Sequence, residues 1–283
     1  MNRILACIDA STYATSVVDL AAWAAKGLDA HVELLHVVQR KDAVATRNDH
    51  SGAIGLGVKS ELLEELTRIE EAAGRLAVEE GRIILDAGAS RLRDAGVEVE
   101  RLHRHGGIVE TIVEREANAS LVIIGKRGAS GEFATDHIGS KVERVARAST
   151  RPVLVTSREV SAPQTVVVAY DGSAAAQKAV AFVASSPLFT GLPVHIVMAG
   201  ADNATRRSRL DAALASLSGR AEAPQCFLID DSAEKVIGDH MALHRDAILV
   251  MGAYGHSPLR TLIVGSTTTT MIRTVHVPVL LVR

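Results

Sequence analysis

The sequence predicts an α/β chain of two doubly wound, five-stranded parallel-sheet domains, Rossmann-like and in tandem, and three observations carry that prediction. Short all-apolar runs such as ILACI, LVII, VVVA and AILV alternate with alanine-rich helical patterns, as expected of parallel strands covered on both faces. The start of the chain is repeated: ILACIDAS is matched by VVVAYDGS, each an apolar run closing on an aspartate and a serine, Asp9 with Ser11 and Asp171 with Ser173. A later pair of segments also matches, LVIIGKRGASGEFATDHIGS and LVMGAYGHSPLRTLIVGST, each setting spaced glycines between a strand and a hydroxyl-rich helix start.

At 283 residues the chain suits two domains that each bury a core. The repeat places them at 1–158 and 164–283, with REVSAPQ and Pro163 as the link. Strands are expected near residues 3–8, 32–38, 97–102, 120–124 and 152–156, and again near 165–170, 193–198, 225–229, 246–251 and 278–282. The halves diverge after their second strand. The first carries a polar, glycine-containing segment, QRKDAVATRNDHSGAIGLG, read as a surface loop, and then a long charged helix from about Glu61 to Ala95. Leu62, Leu66, Ile69, Ala73, Leu76, Ile83 and Ala87 keep one apolar stripe along that helix, read as its core face. The second half has only a short helix there, around Arg206–Ser216.

Composition narrows the function classes. With 31 basic and 33 acidic residues, the net charge of −2 points to no nucleic-acid or membrane partner. No apolar stretch reaches the roughly 18 residues of a spanning helix, and MNRILACIDAS is unlike a secretory signal, so a cytoplasmic location is expected. Cys7 and Cys226 lie in strand-like runs of different halves and read as buried small hydrophobes, not as a disulfide or metal pair.

The chemistry concentrates in the glycine segments. Gly252 and Gly255 stand three apart, nine residues intervene before Gly265, and Ser266 and Thr267 follow. The first half repeats the order with Gly125, Gly128, Gly139 and Ser140, but with ten residues before the last glycine. Glycine lets the main chain approach an anion closely, and a helix N-terminus supplies bare N–H groups and a positive dipole end, so the pattern suits a phosphate. Asp9 and Asp171 have a plainer alternative role as helix caps. His36, His137 and His256 read as packing or surface histidines. No G-x-S-x-G elbow, H-E-x-x-H pair, C-x-x-C or Walker sequence is present, and the turn after the first strand of each half, DASTY or DGSAA, lacks the SGG loop of pyrophosphatase-type adenylating enzymes. Dedicated catalysis is therefore not expected, slow ATP hydrolysis at most.

Through ACIDAS and VAYDGS, IGKRG…IGS and MGAYG…VGST, and the closing strands RPVLV and VPVLLV, the chain resembles a tandem universal stress protein over nearly its whole length. The resemblance implies adenine-nucleotide binding where strands one and four end, in keeping with the general rule for doubly wound sheets. In the second half it implies Asp171 as polar anchor, Gly252, Gly255, Gly265, Ser266 and Thr267 as phosphate cradle, and Met251 and Ala199 beside ribose and adenine. In the first half the equivalents are Asp9, Val37, Ile124, Gly125, Arg127, Gly128, Gly139, Ser140 and Lys141. There the extra loop residue moves backbone donors by about 3 Å, and Glu132 and Asp136 would repel phosphates, against the pull of Lys126, Arg127 and Lys141.

The expectation is thus a stress-response protein that binds ATP, with Mg2+ held through its phosphates, chiefly in the second domain. It would act as a nucleotide-dependent regulator of an unidentified protein partner. A non-nucleotide scaffold of the same family and a slow ATP hydrolase or phosphotransferase are the alternatives. The halves should pack as an intrachain pseudo-dimer through their last strands, VLVTS and VLLVR, with a further homodimer left open.

Overall fold

Apolar runs too short for helices and rich in β-branched residues become strands. The computed structural model describes residues 2–39, 56–128, 140–253 and 266–283, the side chains of 56–63, 140 and 266 excepted. In the first half it has strands β1 (Asn2–Cys7), β2 (Ala30–Val38), β3 (Val99–His105), β4 (Leu121–Gly125) and β5 (Val153–Thr156). The second half has β6 (Thr165–Ala169), β7 (Val194–Ala199), β8 (Gln225–Ile229), β9 (Ala247–Gly252) and β10 (Val279–Val282). Helices α1 (Ala14–Leu28), α2 (Leu56–Asp94), α3 (Ile108–Arg115) and α4 (Ser140–Ala148) connect the first set. Helices α5 (Ala174–Ser185), α6 (Ala204–Ser216), α7 (Ala233–Leu243) and α8 (Ser266–Thr274) connect the second. All ten strands fall within about three residues of the expected positions.

The ten strands form one sheet in the order β3-β2-β1-β4-β5-β10-β9-β6-β7-β8. Each half is parallel within itself, and the halves join where β5 runs antiparallel to β10, Leu154 opposite Leu280. The two closing strands therefore cover each other's edges, as the repeat suggested, and the mirrored order relates the halves by a pseudo-two-fold. Both faces of the sheet are apolar, which is why strands such as Leu121–Gly125 carry no polar alternation. Ile4, Ile123, Leu154, Val168 and Leu280 face α1, α2, α5 and α6, while Leu5, Val122, Val155, Val167 and Leu281 face α3, α4, α7 and α8.

The long helix departs from expectation. It exists and runs Leu56–Asp94, but the stripe read as its core face is turned outward: Leu66, Ile69, Leu76 and Ile83 are 47%, 56%, 71% and 56% exposed, and Ala73 and Ala87 are exposed as well. The face that packs holds Gly81, Leu85, Gly88, Ala89 and Leu92. A Cβ on Gly88 would come within 2.8 Å of Leu34 Cδ2, and one on Gly81 within 2.6 Å of His36 and His103 ring nitrogens. Glycine lets the helix lie that close to β2 and β3. Leu62 and the polar loop before the helix lie outside the described side chains. Cys7 and Cys226 are free and half-buried, and burial pushes both thiol pKa values up.

Candidate functional site

Where β1 and β4 end, the first half encloses a cavity of about 210 Å3. Asp9 enters it just beyond β1, Val37 from β2, Ile124 and Gly125 from β4, Arg127 and Gly128 from the turn that follows, and Lys141 from the first turn of α4. The structure thus gathers seven of the nine first-half residues named from sequence. Of the other two, Ser140 opens α4, and Gly139 lies outside the described residues with Glu132, Asp136 and His137. Sequence reading missed the apolar walls, Leu35, Ile108, Ile112, Val142 and Val145. The signal for Ile108, Ile112, Val142 and Val145 was the helical period of α3 and α4, and for Leu35 the apolar run of β2, and each marks a buried face without saying what it covers.

Asp9 does not cap α1. Its Oδ1 accepts from the Ser11 backbone N–H at 3.1 Å, and the cap position is Tyr13, with no side-chain cap. A Cβ on Gly128 would stand 2.8 Å from Asp9 Oδ2, so the missing side chain leaves that carboxylate its place in the cavity. Lys141 Nζ donates to Gln39 Oε1, and Arg144 pairs with Glu110 at 3.1 Å, bracing α4 on α3. Lys126, grouped with the phosphate-facing cations from sequence, belongs elsewhere. It is 7% exposed, and its Nζ donates to the Val275 carbonyl of the other half at 3.1 Å. Burial, and then the neighbouring Arg127, push its pKa down to about 8.

In the second half Asp171, Ala199, Met251 and Gly252 stand at the ends of β6, β7 and β9. Asp171 braces its turn by accepting from the Ser173 N–H at 2.8 Å, while the Ser173 hydroxyl caps α5 by accepting from Ala176 N at 3.2 Å. Neither strand-end aspartate is therefore a helix cap. Gly252 has a packing reason: a Cβ there would lie 2.5 Å from Ala176 N and closer still to the Ala175 carbonyl. Met251 is buried. Ser266 begins α8, whereas Gly255, Gly265, His256 and Arg260 lie outside the described residues. Thr267 donates its hydroxyl to Glu234 Oε1 at 2.8 Å, a bond that holds the Glu234 pKa down. Arg209 reaches across from α6, its Nη1 3.2 Å from the Asp171 carbonyl and its stem over Gly172, which has φ +79°. Neither Glu234 nor Arg209 was foreseen, since each meets the site only through the fold.

The described residues weight the halves differently from the loop spacing. Arg127 and Lys141 line the first-half cavity, while an ionised Glu234 holds a hydroxyl at the start of the second-half helix. Cations favour a phosphate there and a carboxylate opposes it.

The model of the universal stress protein family matches residues 1–157 and again 163–283. Over 288 aligned residues the chain is 34% identical to the universal stress protein Slr1230 of Synechocystis, covering all of both chains. It is 28% identical to the universal stress protein YxiE of Bacillus subtilis over 156 residues, 54% of this chain and 97% of that one. A universal stress protein from Archaeoglobus fulgidus has a similar fold, with a TM-score of 0.75 at 22% identity over all of this chain and 98% of the other. Two matches to one family, laid end to end on a repeat that closes through its own last strands, make the chain a member of the universal stress protein family with a family domain in each half.

Proposed function

We propose that the chain is a stress-response protein that binds ATP and acts as a nucleotide-dependent regulator without dedicated catalysis. The observation that carries this reading is the first-half cavity, apolar along Leu35, Val37, Ile112 and Ile124 and polar at Asp9, Arg127 and Lys141. A flat base suits the first group, ribose hydroxyls the Asp9 carboxylate, and phosphates the glycine turn with its two cations. The volume of about 210 Å3 is below the roughly 300–1,000 Å3 of complete ligand pockets, so it holds the base and ribose, with the phosphates outward toward the start of α4. Mg2+ would be held through those phosphates. Of the described residues lining the cavity, Cys7 is a thiol whose pKa burial pushes up, so it stays protonated, which supports binding rather than turnover.

A second reading puts the principal site in the second half, favoured by the nine-residue spacing from Gly255 to Gly265. Calorimetry with MgATP on the full chain, on Asp9→Ala and on Asp171→Ala separates the two. If the first cavity is the site, Asp9→Ala weakens binding at least about 10-fold, the value of a charge-assisted hydrogen bond, and Asp171→Ala leaves it. The reverse pattern, with loss on Gly265→Val, establishes the second. No binding at millimolar ATP overturns both and leaves the family scaffold role.

A further inference from the structure

A group of three histidines lies away from the strand ends where the nucleotide is proposed to bind. His195 is the second residue of β7, at the amino end of that strand, and His240 and His244 lie four apart at the last turn and C-cap of α7. That spacing sets both α7 rings on one helix face, and β7 carries His195 beneath them. Ring centroids are 5.3 Å apart for His195–His240, 4.8 Å for His195–His244 and 4.6 Å for His240–His244. One ligand nitrogen from each ring lies within 4.8 Å of the others, and among the described residues this is the group of three potential metal ligands so arranged.

The repeat shows that the fold does not require these histidines. Counted back from Asp9 and Asp171, Leu5 and Val167 are equivalent, and their partners across the sheet are Glu33 and His195. Glu33 is fully buried and holds two arginines, Arg3 at 2.6 Å and Arg115 through Nε at 2.9 Å. In the second half Thr165 stands in the place of Arg3, and three imidazoles fill the locus. The first half thus satisfies this buried polar position with an ion network. In the second half His195 Nδ1 and His240 Nε2 share a hydrogen bond at 3.1 Å.

We propose that His195, His240 and His244 form a three-imidazole site for Zn2+ or a similar borderline divalent transition-metal ion, with a fourth position open to water. Imidazole without carboxylate or thiolate suits this class of ion and not Mg2+ or Ca2+. Zn–N bonds of about 2.1 Å in a tetrahedron place nitrogens about 3.4 Å apart, so the widest present gap closes by roughly 1.4 Å through ring rotation. The Phe227 ring, 5.2 Å from His195 and 4.7 Å from His240, forms an apolar wall, and half-exposed His244 leaves the entry. The C-terminal end of α7 adds the negative end of its dipole.

The test is Zn2+ titration of the untagged, chelator-stripped full chain against a chromophoric competitor, without nucleotide, so that it is independent of ATP binding. Co2+ absorption reports the coordination geometry. One equivalent is expected, with an intense tetrahedral-type Co2+ spectrum. Affinity should fall at least about 100-fold in His240→Gln and in His244→Gln, and stay unchanged in His103→Gln in the other half. Should His240→Gln fail to fold by circular dichroism, His244→Gln at the helix end decides alone. Zn2+ binding that survives His244→Gln, or no stoichiometric binding to the native chain, overturns the site.

Discussion

Replacing Gly252 with alanine separates a glycine kept for a ligand from one kept for packing. A Cβ at this position would stand 2.5 Å from Ala176 N, with the Ala175 carbonyl carbon and oxygen closer. Ordinary carbon contacts begin near 3.5 Å, so β9 and the start of α5 would have to part by about 1 Å. The atoms met are main chain in the first turn of a capped helix and cannot swing aside as a side-chain end could. Overpacking costs about 1–3 kcal/mol, and the rigid backbone places this substitution near the upper end, at about 3 kcal/mol. Urea denaturation should show the midpoint lowered by roughly 1 M or more. Gly128→Ala is the control, because it meets only the end of the Asp9 side chain, which can rotate. Its stability should stay within about 1 kcal/mol of native while nucleotide binding in the first half weakens. A Gly252→Ala chain as stable as the native one, yet unable to bind nucleotide, would refute the packing argument and return Gly252 to the phosphate cradle.

Lys126 makes the contact between halves pH-dependent. Its folded-state pKa of about 8 lies below the free value of 10.5, so the unfolded chain holds that proton more tightly and stability rises with pH from 8 to 10.5. Against Lys126→Met, in denaturant titrations at pH 7 and pH 10.5, the native chain should gain on the order of 1–2 kcal/mol over that window, and a constant difference would show that Lys126 is not desolvated. On α2, Leu76→Ser should change stability by less than about 0.5 kcal/mol because the side chain is 71% exposed. Leu92→Ala, fully buried, should cost about 2–5 kcal/mol, and equal losses in the two variants would restore the outward stripe to a core role.

The strands were legible because a parallel strand between two helix layers must be apolar on both faces, a signal that needs no partner to be seen. The duplication then supplied the junction, since two copies of an open sheet each leave a last strand with an uncovered edge. The α2 face was misread for an equally local reason. The helix has two apolar faces, and periodicity favours the one with the larger side chains, Leu66, Ile69, Leu76 and Ile83. The face that packs is built from Gly81, Gly88 and Ala89, whose smallness brings the helix onto β2 and β3, so the closest approach has the weakest hydrophobic signal.

The same division holds at the candidate site. Asp9, Gly125, Gly128 and Lys141 were legible because each sits at a fixed offset from a strand end, and the carboxyl ends of β1 and β4 bring them to one cavity. Glu234, Arg209 and the histidine cluster were not, because each is joined to its site by contacts 33 to 49 positions apart in sequence, made only by the winding of the second sheet. Duplication makes that hidden layer comparable within a single molecule. Where both halves need the same backbone, as at Asp9 and Asp171, the residues repeat. Where the backbone leaves the chemistry free, as at Glu33 and His195, they have diverged into an ion network on one side and an imidazole cluster on the other. The repeated positions therefore point to what the halves share, and the buried polar positions that differ point to what each half does alone.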